Sequence, residues 1–187
     1  MITKRRFKDS LHGSISVSEL ENQVIDHPLF QRLRRIKQTA FLTTVFPCAN
    51  HTRFEHSLGT MHLAKKAWDK IKENQLRILT SSQSKKQSTQ LKETEKILKS
   101  DTNYLYTVLR LSALLHDVGH PPLSHSGEHL LENKENFLKH NHIIPNYLRN
   151  YLESPQVKIS HEVYSVLLSN KISCEITPIC CRNDSKL

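Results

Sequence analysis

Ala113-Leu114-Leu115-His116-Asp117-Val118-Gly119-His120-Pro121-Pro122 decides the reading of this chain. An apolar helical run stops at a His-Asp pair, and a further His follows at once. Gly119 and Pro121-Pro122 cannot continue the helix. Burying a helix end that carries imidazole and carboxylate calls for a compensating partner, and a metal ion is the usual one. Earlier in the chain, Arg53-Phe54-Glu55-His56-Ser57-Leu58-Gly59 offers a second His on another apolar-patterned segment. His56, His116 and Asp117 together make a nitrogen-rich donor set that suits iron, manganese or zinc, and magnesium less well. The bland alternative is that His116 caps its helix and Asp117 pairs with a nearby base. Four His between positions 116 and 129 weigh against it, because a fold gains nothing by burying four imidazoles.

Outward from that stretch, the pattern is helical. Tyr104 to Asp117 is apolar nearly all round and is expected at the centre of the fold. Residues 54–72 place Leu58, Met61, Ala64 and Trp68 on one side. Asp26-His27-Pro28 starts a helix carrying Leu29, Phe30, Leu33 and Ile36 against the core, with Arg32, Arg34, Arg35 and Lys37 opposite. Ser14 to Ser18 alternates with period two and predicts a short strand after the His12-Gly13 turn. Leu42 to Phe46 reads as an extended connector. Residues 125–139, 142–152 and 161–170 read as shorter helices. The polar run at about 81–96 reads as an insertion with little to bury, and from Lys171 onward the amphipathic pattern fades. The expected organisation is one all-α domain over 1–170, with a small N-terminal β-hairpin or extended segment and a tail over 171–187.

Composition agrees. The chain has 187 residues, only 4 Gly and 7 Pro, and a formal net charge of +9. Such a balance favours anionic partners such as nucleotides or nucleic acid, or else a solvated basic surface. No apolar run approaches the roughly 18 residues of a membrane span, and no apolar stretch follows the basic N-terminus as in a signal peptide. The four Cys form no Cys-x-x-Cys pair, so zinc ligation by thiolates is not expected. Reduced thiols and a cytoplasmic location are. His120, His125 and His161 titrate in the right range for proton transfer or phosphate contact. His129, His140 and His142 read as surface residues. Arg53, one turn before His56, is placed either to clamp a phosphate or to form a helix-terminal salt bridge.

Taken in order, these motifs resemble the HD superfamily of metal-dependent phosphohydrolases, in particular its deoxynucleoside triphosphate triphosphohydrolase branch. The resemblance runs from about residue 7 to about 170. It begins at Phe7-Lys8-Asp9-Ser10-Leu11-His12-Gly13, with Ser10 where Pro is usual. It continues through Phe30-Gln31-Arg32-Leu33-Arg34-Arg35-Ile36-Lys37-Gln38, Val45-Phe46-Pro47, the Arg53 to Gly59 segment, His116 to His125, and His161-Glu162. It implies an HD-type helical fold and hydrolysis of a dNTP to a deoxynucleoside and triphosphate. His56, His116 and Asp117 would be the ligands of a divalent ion (Mn, Fe, Mg or Zn). His120, Glu128 and His161 would be the acid–base set, with Glu128 where Asp is common. Gln38, Arg53 and His125 would bind substrate. A homo-oligomer is a further expectation. The family's fourth ligand is an Asp well downstream, and it is not assigned to Asp184 in the tail. The chain is therefore expected to be an N-terminal, incomplete portion of the catalytic domain, with some core left uncovered. The other readings are an HD phosphohydrolase acting on a different nucleotide phosphate ester, and an inactive nucleotide- or nucleic-acid-binding remnant.

Overall fold

Ser18 starts the first helix with a reciprocal cap. Its side chain accepts from the Glu21 amide, while the Glu21 carboxylate accepts from the Ser18 amide at 2.7 Å. That capping box defines α1 (Glu19–Asp26), a helix not among those expected from the apolar pattern. The computed structural model describes residues 5–80, 102–141 and 144–177. The 81–96 insertion, His142 and the chain after residue 177, Asp184 included, lie outside them.

Before α1 stand β1 (Arg5–Asp9) and β2 (Gly13–Val17), an antiparallel hairpin with Arg5 opposite Val17 and Asp9 opposite Gly13. Gly13 takes φ +74°, the left-handed conformation that glycine adopts without strain. α2 (Pro28–Gln31) begins at Pro28 as expected, and a 3-10 turn over Arg32–Arg35 extends it. The Leu42–Thr44 segment is also a 3-10 turn, not an extended connector. Thr44 and Val45 amides bond back to the carbonyls of Phe41 and Leu42, and that closes the turn.

α3 (Arg53–Thr80) and α4 (Thr102–Leu115) are the long helices. A 3-10 stretch, Ser124–Leu130, follows, then α5 (Lys134–His140), α6 (Asn146–Glu153) and α7 (His161–Ile176). The expected helix over 125–139 is therefore two elements. α7 runs to Ile176, past residue 170, and Ile172 is fully buried. The architecture is the all-helical one expected, with its small N-terminal hairpin.

The main core gathers Ile15, Val24, Phe30, Leu33, Phe54, Met61, Leu114, Val118 and Ile172 from six elements and the turn after α4. A smaller cluster of Phe137, Leu148, Leu152 and Val163 sits beneath α5, α6 and α7. A buried ion pair stands beside this core. Arg110 donates from Nε to Glu21 Oε1 at 2.5 Å and from one terminal nitrogen to Oε2 at 2.9 Å and to the Ser16 carbonyl at 3.0 Å. It ties α4 to α1 and β2 and leaves no buried polar atom of either side chain without a partner, which is what a buried charge pair requires.

α4 is not central. Tyr104 and Val108 are exposed, and with Leu111 and Leu115 they wall an apolar groove of about 690 Å³ whose other side is α7. Cys48 is a free, exposed thiol, whereas Cys174 is disulfide-bonded, which corrects the expectation that all thiols are reduced. No helix among the described residues is long and apolar enough to cross a membrane.

Candidate functional site

Three segments converge on the end of α4. The first is the start of α3. Glu55 accepts from the Thr52 amide at 2.6 Å, and the Arg53 amide bonds to the Ile36 carbonyl at 2.9 Å. Helical spacing then sets Arg53 and His56 on one side. The second is the turn after Leu115, where the Val118 amide returns to Leu115 and the His120 amide to Asp117. Arg32 clamps this turn from outside, donating to the Val118 carbonyl at 2.5 Å and the His120 carbonyl at 2.9 Å. The third is the first turn of α7. The Gly119 amide donates to Ser165 Oγ at 2.9 Å, and a Cβ on Gly119 would stand 2.2 Å from the Ser165 nitrogen. Only glycine permits that approach, and it brings His161 against His120.

His56, His116 and Asp117 meet here. His56 Nε2 lies 3.2 Å from His116 Nε2 and 3.6 Å from Asp117 Oδ2, and His116 Nε2 lies 3.4 Å from Asp117 Oδ1. His116 Nδ1 lies 2.9 Å from the Ala113 carbonyl, so it carries the proton and Nε2 keeps its lone pair. That lone pair faces another imidazole nitrogen and a carboxylate oxygen. Burial lowers the His56 pKa against the pull of Asp117. Burial would raise the Asp117 carboxyl, but His116 and Arg53 hold it below its ordinary value. Two imidazoles and a carboxylate facing one another suit a divalent transition-metal ion.

Arg53 is 2% exposed. One terminal nitrogen donates to Asp117 Oδ2 at 2.5 Å and the other to Ser124 Oγ, which donates on to the Gln38 carbonyl at 3.0 Å. Of the two readings of Arg53, the ion pair is formed, with Asp117 as partner, and only Nε lacks one. Ser124 reaches this position because Leu123 and Ser124 both adopt left-handed backbone, φ 66° and 57°. Such strain in non-glycine residues costs about 1–3 kcal/mol each and gathers at functional sites. Ser124 and Arg32 have structural roles that the sequence reading did not assign. Arg32 was one of four cations on an apparently solvated face, and a lone pair of carbonyl partners 86 and 88 residues away leaves no mark in the local pattern.

His120, His125, Glu128 and His161 form a second group. Glu128 Oε1 accepts from His125 Nδ1 at 2.8 Å and His161 Nδ1 at 2.6 Å. Burial would raise the Glu128 carboxyl, but these two bonds hold it below its ordinary value. His120 is fully buried and stacked on His161 at 4.0 Å. Its pKa is pushed down to about 4 by burial, with Arg53 and His161 adding to the effect. Of the four histidines between positions 116 and 129, only His120 is buried; His116, His125 and His129 are exposed, and His140 is exposed as expected. Buried polar atoms without a partner, among the described residues, fall mostly in the motifs that build the site. Gln38 Oε1, Arg53 Nε, Ser57 Oγ and both His120 nitrogens are five of the six, the other being His62 Nε2. Native interiors leave few such atoms, so their concentration marks a binding site.

The family described as "HD domain" matches residues 89–180. An uncharacterized protein of Methanocaldococcus jannaschii is 42% identical over 121 residues, 65% of this chain and 20% of that protein. The deoxynucleoside triphosphate triphosphohydrolase SAMHD1 homolog of Dictyostelium discoideum is 39% identical over 120 residues, 64% of this chain and 19% of its own length. Deoxynucleoside triphosphate triphosphohydrolase SAMHD1 of Homo sapiens is 32% identical over 166 residues, 89% of this chain and 20% of its own length. The chain thus spans about a fifth of the length of the curated relatives it matches. With its helical fold and His-Asp step, the chain belongs to the HD-domain superfamily. Within it, the chain is akin to the deoxynucleoside triphosphate triphosphohydrolase branch.

Proposed function

We propose that this chain forms the metal-binding and acid–base part of a phosphohydrolase that cleaves a dNTP to a deoxynucleoside and inorganic triphosphate. The observation that carries the reading is the meeting of one potential ligand atom from each of His56, His116 and Asp117, with orphaned buried atoms of Gln38, Arg53 and His120 in the same motifs. His56, His116 and Asp117 would hold a divalent ion. When bound, it supplies Lewis acidity toward a phosphoryl group and toward water. Arg53 keeps Asp117 ionised and oriented, and its free Nε and Gln38 Oε1 are left to meet substrate. His125, 73% exposed, is open to an incoming phosphate.

Water attacks the α-phosphorus, and the 5′-oxygen leaves with a proton. His120, with its pKa near 4, is neutral at pH 7 and is a poor donor. The donor is therefore His161, whose Nδ1 is held by Glu128, in the manner of a base oriented by a carboxylate. The four dNTPs, incubated singly with the chain and Mn²⁺ and resolved by ion exchange, provide the test. Deoxynucleoside and triphosphate are expected from at least one of them. Absence of both products above a His116→Ala control rejects the activity for this chain, and monophosphate or diphosphate products redirect it to another phosphate ester.

A further inference from the structure

The second histidine group has the composition of a metal site in its own right. Glu128 Oε1 stands between two imidazole nitrogens at 2.6 and 2.8 Å, and one donor atom from each of His120, His125, Glu128 and His161 falls within 4.8 Å of the other three. His120 is wholly buried, yet neither ring nitrogen has a partner. A neutral imidazole brings one N–H and one lone pair, and an unmet buried polar group costs about 1–3 kcal/mol. Hydrogen bonds to Glu128 satisfy His125 and His161 but do nothing for His120. A ligand that accepts a lone pair from His120 does.

We infer that His120, His125, Glu128 and His161 form a second divalent-cation site beside the His56–His116–Asp117 trio. Three nitrogens and one carboxylate select an ion of the zinc, iron or cobalt type over magnesium. The rearrangement is small. His125 and His161 each move the ring proton from Nδ1 to Nε2, so no net proton is lost, and Glu128 stays ionised. Metal–ligand bonds of about 2.0–2.1 Å in a tetrahedral site set ligand separations near ~3.3 Å, so the two Glu128 distances open by roughly half an ångström, while the remaining donors already lie within 4.8 Å of one another. His125 is exposed and Glu128 half-buried, which leaves a path from solvent. A cation held here withdraws Glu128 and His161 from proton transfer, so the site has two exclusive uses.

The probe is Co²⁺ added to chelator-stripped protein, read by equilibrium dialysis and by the visible absorption of the bound ion. Two equivalents per chain are expected for the wild type and one for His116→Ala. Glu128→Gln and His125→Ala should each weaken one of the two binding steps about tenfold or more, with the melting curve showing that each variant is folded. His125 projects into solvent, so its removal leaves the core intact. A wild type that binds one equivalent, lost in His116→Ala, overturns the second site and leaves the proposed function standing. One equivalent kept in His116→Ala and lost in Glu128→Gln supports the second site and removes the trio as a metal centre. No uptake by the wild type overturns both.

Discussion

The two histidine clusters are built from the same side chains and solve opposite problems. In the trio, His116 Nε2 faces His56 Nε2 at 3.2 Å, and both rings stand farther from the carboxylate, at 3.4 and 3.6 Å. In the quartet, Glu128 is bridged to two rings by short hydrogen bonds. The difference follows from the partners. Asp117 is already engaged by Arg53, and His116 Nδ1 by a helix carbonyl, so the remaining donors have only each other. Among the described residues Glu128 makes no ion pair with Lys or Arg, and it accepts from His125 and His161. A trio of this kind is incomplete without an ion, whereas a quartet of this kind can run as an acid–base relay until one arrives.

The comparison breaks most severely at Asp117. Asp117→Asn removes the charge shared by His56, His116 and Arg53 and leaves a guanidinium buried and unpaired. The expected loss is about 3–5 kcal/mol in chemical denaturation, together with the ion bound at the trio by elemental analysis. Next is Arg32→Met, which frees the Val118 and His120 carbonyls of the turn joining the clusters. On the order of 2–4 kcal/mol should be lost, with weaker metal uptake. A variant that keeps full uptake would show that the turn holds its shape unaided.

Glu128→Gln separates the clusters by function. Its side chain is only half-buried, so stability should change by less than about 1 kcal/mol, while turnover falls roughly 10²–10⁴-fold through loss of the His161 partner. Unchanged turnover would remove the relay.

His120 makes the contrast pH-dependent. Its folded pKa, about 4, lies below the ordinary 6.5, so between those values the unfolded chain binds the proton more readily. Stability therefore rises with pH across that window, and it falls as pH drops from 6.5 toward 4. Asp117 and Glu128, both depressed, add to the loss below their ordinary range. Urea midpoints at pH 7 and pH 5 should differ for the wild type and differ less for His120→Leu. The smallest effect belongs to His125→Ala, whose exposed ring should leave stability within about 0.5 kcal/mol.

Much of the site was legible because its residues sit at helix ends, where periodicity stops and chemistry shows. The ring of His56 one turn into α3, the His-Asp step closing α4, and His161 opening α7 all stand at such breaks. Other features were not legible. The capping box at Ser18 and Glu21 was present in the letters, but the mixed apolar pattern around it concealed α1. The exposure of Tyr104 and Val108 was hidden because an all-round apolar helix reads as central whether or not a neighbour covers it.

Local chemistry alone determined the helical class, the N-terminal hairpin, the start of α3, the end of α4 and the residue types able to bind a cation or move a proton. Those depend on spacing along the chain and on the backbone preferences of Gly and Pro. Tertiary structure decided the pairings: Arg53 to Asp117 and Ser124, Arg32 to the Val118 and His120 carbonyls, Glu128 to two histidines. Each joins segments brought together by packing, except the helical-turn neighbour His125. Distance in the chain says nothing about which charge will neutralise which, because burial selects the partner and only the packed core determines what is buried.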